Sequence, residues 1–261
     1  MRKVEIDKYD LSAKTSKKMV DYVAEEKPLH LFVNTTYWAT ILCSPSNLKE
    51  MAVGHLLSEG ILKSTAEIEE VNLNETEATC HVKLKNAVNV EERISLSRLH
   101  QRVVTSACGE QTIYQYKRKP AKVTSNLQVK AEVVFNAVNQ LNFKAEVFRQ
   151  TGGVHAAAIY TADGSMVALA EDVGRHNAVD KAIGMAALNN TNFKECFLTS
   201  TGRLSGDIVF KASKVGLPIV ASLGAALDSG VAMAEAANLT LAGFVRGKRL
   251  NIYNAPGRII L

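Results

Sequence analysis

A chain of 261 residues with a formal charge of +5 and 47% apolar residues is long enough to bury a sizeable core and to divide into two units. No run approaches the roughly 20 apolar residues of a membrane span, and the opening MRKVEIDKYD lacks the apolar centre of a signal peptide, so a soluble, cytoplasmic protein is expected. The four cysteines, Cys43, Cys80, Cys108 and Cys196, form no CxxC pair, which argues against a disulfide framework or a zinc knuckle.

Residues 4–6, 29–33 and 37–43 read as strands, the last two joined by the polar turn Asn34-Thr35-Thr36. Ser44-Pro45 ends the pairing. Ser46 or Asn47 then caps a helix with Leu48, Met51, Ala52 and Leu56 on one side, and Gly60 stops it. Shorter, alternating segments at 68–73, 79–84 and 94–96 complete an α+β first part. Residues 99–119 keep no period and place Cys108 in a long loop. Arg98 and Arg102 lie on one side of it and Lys117, Arg118 and Lys119 on the other, and nearby positive charge favours the thiolate. Pro120 marks the boundary between a unit of residues 1–119 and one of residues 120–261.

The second unit opens with a helix over 129–141, read from Val133, Val134, Ala137, Val138 and Leu141. A hairpin follows, 154–160 and 166–171, around Ala162-Asp163-Gly164-Ser165, whose Asp-Gly pair supplies a tight turn. His155, on an apolar strand, reads as a satisfied core histidine. Gly174 frees the backbone, Asn177 is expected to cap the next helix, and Asp180 to answer the cap. Arg175 and His176 then stand immediately before open N–H groups that suit phosphate. The rhythm repeats with a strand at 196–199, the loop Ser200-Thr201-Gly202-Arg203 and a helix capped by Ser205. A strand at 219–222, the loop Leu223-Gly224-Ala225 and a helix over 227–237 come next. Strands at 241–245 and 250–253 close the chain around Arg246-Gly247-Lys248-Arg249.

A parallel-type sheet built this way would bring Arg175, His176, Arg203 and the 246–249 turn toward one edge, where α/β sheets bind ligands. The ligand inferred is a polyanion. With no long basic stripe and only 6% aromatic residues, a nucleotide-like cofactor fits better than nucleic acid, and no P-loop is present.

The segments TGGVHAAA, EDVGRHNAVDK, TGRLSGDIVFKA, SLGA and GFVRGKRLNIY, preceded by AVGHLLSEGIL and SACG, together resemble the FdhD family of formate dehydrogenase accessory sulfurtransferases over nearly the whole chain. The resemblance implies an α/β protein, with a cytidine-deaminase-like three-layer C-terminal domain, a smaller α+β N-terminal domain, and a cytoplasmic homodimer. It implies that persulfide sulfur passes from a cysteine desulfurase to the molybdenum bis(molybdopterin guanine dinucleotide) cofactor before that cofactor enters formate dehydrogenase. Cys108 would be the reactive cysteine. Phe244, Val245, Arg246, Gly247, Lys248 and Arg249 would be the cofactor-binding segment, joined by Arg175, His176 and Arg203 from the residue reading, with GDP as a partial analogue.

One departure bears on mechanism. Many relatives carry a CxxC where this chain reads Cys108-Gly109-Glu110-Gln111, so one thiol must act without a neighbour. Deamination is a poor rival: zinc deaminases need H-x-E and PCxxC, whereas here His155 is followed by Ala156-Ala157 and no PCxxC occurs, so no zinc is expected. The stronger rival is a non-catalytic escort for the same cofactor. Neither nucleic acid nor membrane is an expected partner.

Overall fold

The computed structural model describes residues 1–86, 88–90, 93, 119–254 and 257–261. The expected strand at 94–96 and the loop carrying Cys108 lie outside the described residues.

β1 (Arg2–Asp10) and β2 (Thr15–Val23) form an antiparallel ribbon, with Arg2 opposite Val23 and Asp10 opposite Thr15. Only residues 4–6 of it show a strand pattern in the sequence. The reason is that almost every side chain of the ribbon is exposed, so no buried face imposes an alternating pattern. β3 (Lys27–Val33), β4 (Thr36–Cys43), β5 (Ile68–Asn74) and β6 (Thr79–Leu84) form a second sheet in the order β4-β3-β6-β5. The β3–β4 turn places Asn34 at φ 52, where asparagine is tolerated.

Helix α1 (Leu48–Ser58) packs against this sheet and buries every residue from Met51 to Ser58. Instead of one apolar side it is covered all round, as a helix between two layers must be. Asn47 takes the cap position in a left-handed conformation, and its side chain makes no capping bond.

The rest of the chain is built on one six-stranded sheet. β7 (Val129–Lys130), α2 (Ala131–Lys144) and α3 (Glu146–Thr151) precede the hairpin β8 (His155–Thr161) and β9 (Met166–Asp172). Then come α4 (Arg175–Leu188), β10 (Cys196–Ser200), α5 (Gly206–Val215), β11 (Ile219–Ser222), α6 (Asp228–Ala237), β12 (Thr240–Arg246), β13 (Arg249–Asn254) and β14 (Ile259–Ile260). The order is β13-β12-β11-β10-β8-β9, with β10, β11 and β12 parallel and β8, β9 and β13 added antiparallel. Val129 and Lys130 do not start the helix as expected; they pair with β14, and Val129 N donates to Arg258 O.

Side chains alternate across the sheet into two cores. Ala157 and Ile159 face the core under α4, α5 and α6, while Ala156, Ala158 and Tyr160 face the core under α2. The first core runs unbroken through α1 to the β3–β6 sheet. Where α1 crosses α4 the backbones touch. A Cβ on Gly54 would lie 1.8 Å from Asp180 O, and one on Gly184 would lie 1.9 Å from Glu50 O. Among the described residues no helix is long and apolar enough to cross a membrane.

Candidate anion-binding edge

The parallel strands β10, β11 and β12 end on one side of the sheet. β8 runs against β10, with Ala157 opposite Ser200, so β8 begins on that same side; β9, with Asp172 opposite His155, ends there. Five strand ends, and the start of α4 after β9, therefore meet along one edge.

Serines at the strand ends shape the loops. Ser200 Oγ accepts the Gly202 N–H at 3.0 Å. Ser222 Oγ accepts the Gly224 N–H at 3.0 Å, and its own proton lies between Ser200 O at 2.8 Å and Gly202 O at 2.6 Å. The loops zip together through Leu204 N to Ala225 O and Leu227 N to Leu204 O, both 2.9 Å. Glycine is needed for this closeness: a Cβ on Gly224 would sit 2.7 Å from Gly202 O, and one on Gly202 would sit 2.9 Å from Arg175 Cβ. Phe244 continues the row, donating its N–H to Gly224 O at 2.9 Å across a β-bulge that holds it at φ 52. Its ring lies 5.1 Å from the Arg246 guanidinium. Arg175, Gly202, Gly224 and Phe244 thus stand side by side, with Arg203 exposed beside them.

Arg175 lies in the first turn of α4, because the cap is Gly174 and not Asn177. It is 6% exposed, and its Nε has no hydrogen-bond partner among the described residues. A buried guanidinium nitrogen without an acceptor is costly, and native structures seldom leave one unless a ligand or water completes it. The start of α4 adds N–H groups of partial positive charge.

His176 lies about a quarter exposed, 4.0 Å from Asp207 Oδ2 and 3.5 Å from Ser205 Oγ. Burial, then Arg175 and Lys211, push its pKa down to about 3, so the ring is neutral at physiological pH. Ser205 holds the expected cap position of α5 but makes no capping bond. Val245 points into the core with no exposure, and Gly247 and Lys248 form the exposed turn between β12 and β13, both at positive φ. Arg249 pairs with Arg246 across that turn. The structure therefore gathers Arg175, Arg203, Phe244 and Arg246 along the edge, puts His176 toward α5, and leaves Val245 to packing.

Most charges of the EDVGRHNAVDK segment serve the interior. Glu171 accepts the N–H groups of Val147 and Phe148 at the start of α3, at 3.2 and 2.7 Å. Asp172 Oδ1 accepts Gly174 N and Asn177 Nδ2, while Oδ2 accepts Ser44 N and pairs with Lys181 Nζ at 2.6 Å. Asn177 Nδ2 also reaches Leu42 O at 2.8 Å, and the residue lies inside the first turn of α4, past the cap position. Asp180 meets His55, Ser58 and Lys211, and Lys211 also reaches Glu59. Burial alone would raise the Asp180 pKa, but Lys211, then His55 and Ser58, hold it below the usual carboxylate range. Among the described residues no three His, Cys, Asp or Glu side chains gather to hold a metal ion.

Comparison with known proteins gives one consistent answer. A family model described as the FdhD/NarQ family matches residues 24–260. The protein named sulfur carrier protein FdhD in Sulfolobus acidocaldarius is 38% identical over 267 aligned residues, covering 100% of this chain and 99% of its own. Its namesake in Shouchella clausii is 34% identical over 92% of this chain and 91% of its own. The crystal structure of a Desulfotalea psychrophila protein superposes with a TM-score of 0.77 at 24% identity, covering 99% of both chains, which shows the shared fold.

Proposed function

We propose a function on one shown premise: the chain belongs to the FdhD/NarQ family. It acts as a sulfur carrier for formate dehydrogenase. Its substrate is the molybdenum bis(molybdopterin guanine dinucleotide) cofactor, held by its phosphates along the edge of Arg175, Arg203, Phe244 and Arg246. Sulfur arrives from a cysteine desulfurase. The Cys108 thiolate attacks the outer sulfur of the desulfurase persulfide, the S–S bond there breaks, and the desulfurase cysteine leaves as a thiolate. Cys108 then carries the persulfide to the cofactor, acting alone because Gln111 stands where a second thiol would be. The helices on both faces of the six-stranded sheet support a cytidine-deaminase-like cofactor domain over 120–261, beside a smaller unit of residues 1–119. A cytoplasmic homodimer completes the reading.

The observation that carries the cofactor site is Arg175, a buried cation with an unpartnered Nε at a helix start, one glycine away from exposed Arg203. Arg203→Ala is expected to weaken GDP binding at least about tenfold, given roughly 1.5–3 kcal/mol for a hydrogen bond to a charged group. Calorimetry on folded Arg175→Ala, Arg203→Ala and Arg246→Ala proteins checks this; unchanged affinity in all three would remove the site. Desulfurase labelling separates carrier from escort, because an escort need not take up sulfur.

A further inference from the structure

We propose that His155 donates a hydrogen bond from Nε2 to the same anionic ligand group that Arg175 and Arg203 bind. This rests on the reading of the edge as an anion site.

His155 opens β8 and so lies beside the loop that follows β10. Its Nδ1 is 3.3 Å from Thr201 Oγ1. That hydroxyl accepts the Ala156 N–H at 3.0 Å, leaving its own proton to be donated. Ala156 O is the other acceptor in reach, but it lies at 3.5 Å and already takes the Thr201 N–H at 3.0 Å. Because Nδ1 is the nearer acceptor and is not otherwise engaged, we assign the hydroxyl proton to Nδ1. A neutral imidazole that accepts at Nδ1 carries its hydrogen on Nε2. Among the described residues Nε2 has no partner, and the ring is only partly buried.

The surroundings favour the neutral form of the ring. Burial, then Arg175 and Arg203, lower the His155 pKa, with Asp172 acting weakly in the other sense. Asp172, directly across the β8–β9 pair, is saturated: it already takes Gly174 N, Asn177 Nδ2, Ser44 N and Lys181 Nζ. What remains for Nε2–H is an acceptor from outside, and the two arginines that lower its pKa are those assigned to draw an anion there. Two cations and a neutral donor suit a phosphate oxygen, since the third contact orients the group without adding charge.

The test uses the full chain with GDP and with inorganic pyrophosphate as probes. His155→Phe removes the donor and keeps a ring; it is expected to weaken both about tenfold, equivalent to about 1.4 kcal/mol. His155→Gln keeps an N–H donor and should restore most of the loss. In the free protein, nitrogen NMR of the ring should show the Nε2–H tautomer. Unchanged affinity in His155→Phe alongside a loss in Arg203→Ala would overturn the inference and leave the anion site standing. Equal losses in the Phe and Gln variants would also overturn it, by showing that packing and not the donor matters. Unchanged affinity in both Arg175→Ala and Arg203→Ala would instead defeat the reading of the edge itself.

Discussion

At the scale of single residues, the charges that look most chemical in the sequence are mainly internal ties. Lys181 and Asp172 are fully buried and 2.6 Å apart, and Lys181 Nζ also donates to Ser44 O at 2.9 Å. Such a pair adds little net stability against an apolar pair of the same shape, yet removing one partner strands the other. Lys181→Met is therefore expected to cost about 3–5 kcal/mol, read as a lower denaturant midpoint with an unchanged slope. A change below about 1 kcal/mol would mean that the three N–H donors around Asp172 suffice without a countercharge. None of this was legible from spacing, because Ser44 and Asp172 are 128 positions apart. Asn177 and Asp180 fit a capping box in sequence, but long-range partners claim both. The contact of His155 with Thr201 is silent in the sequence for a related reason: the strand pattern reports the apolar neighbours of His155 but not the loop that meets it.

At the scale of elements, the strand and loop order after residue 150 was readable because each unit carries its own punctuation. Asp163-Gly164, Gly216 and the Gly247-Lys248 turn mark ends by local backbone need, and the structure places Gly164, Gly216, Gly247 and Lys248 all at positive φ. The β1–β2 ribbon and the short α3 escaped because neither has a buried face with a readable period; α3 is started by the Glu171 carboxylate from a neighbouring strand. The α1–α4 crossing was equally silent, since it depends on what two glycines lack. Gly54 and Gly184 let the helix backbones touch, and this contact joins the first sheet to the larger one. Gly54→Ala should force the helices apart, because the nearest atom is backbone and cannot rotate away. It is expected to lower thermal stability by several kcal/mol, beyond the roughly 1 kcal/mol that alanine adds to helix propensity in the other direction. An unchanged or raised melting temperature would show that the crossing is looser than its geometry.

At the scale of the whole molecule, sulfur transfer demands one accessible thiolate and an interior in which no other thiol competes. The described cysteines meet the second condition. Burial pushes Cys43 and Cys80 up to about 12 and Cys196 up to about 11, with nearby Lys181 only partly offsetting it at Cys43. At pH 8 a thiol with a pKa of 11 is ionised in about one molecule in a thousand, and the thiolate is the nucleophile. Each of the three is also enclosed in a packed core, where it acts as a small apolar side chain. Cys108 is thus the one cysteine left for the proposed step. Incubation with a cysteine desulfurase and cysteine is expected to add reducible sulfur to the Cys108 peptide alone, read by mass spectrometry. An alkylating reagent should modify Cys43, Cys80 and Cys196 only after denaturation. Cys108→Ala should lose the sulfur adduct and the activation of formate dehydrogenase while keeping GDP affinity, because none of the proposed phosphate ligands, Arg175, Arg203 and Arg246, lies near it in the sequence. Full activation by Cys108→Ala, in cells lacking their own copy of the protein, would reject sulfur transfer through this residue. The proposed anion edge, left standing, would then make the chain an escort for its cofactor, since the binding proposed for Arg175, Arg203 and His155 requires no thiol.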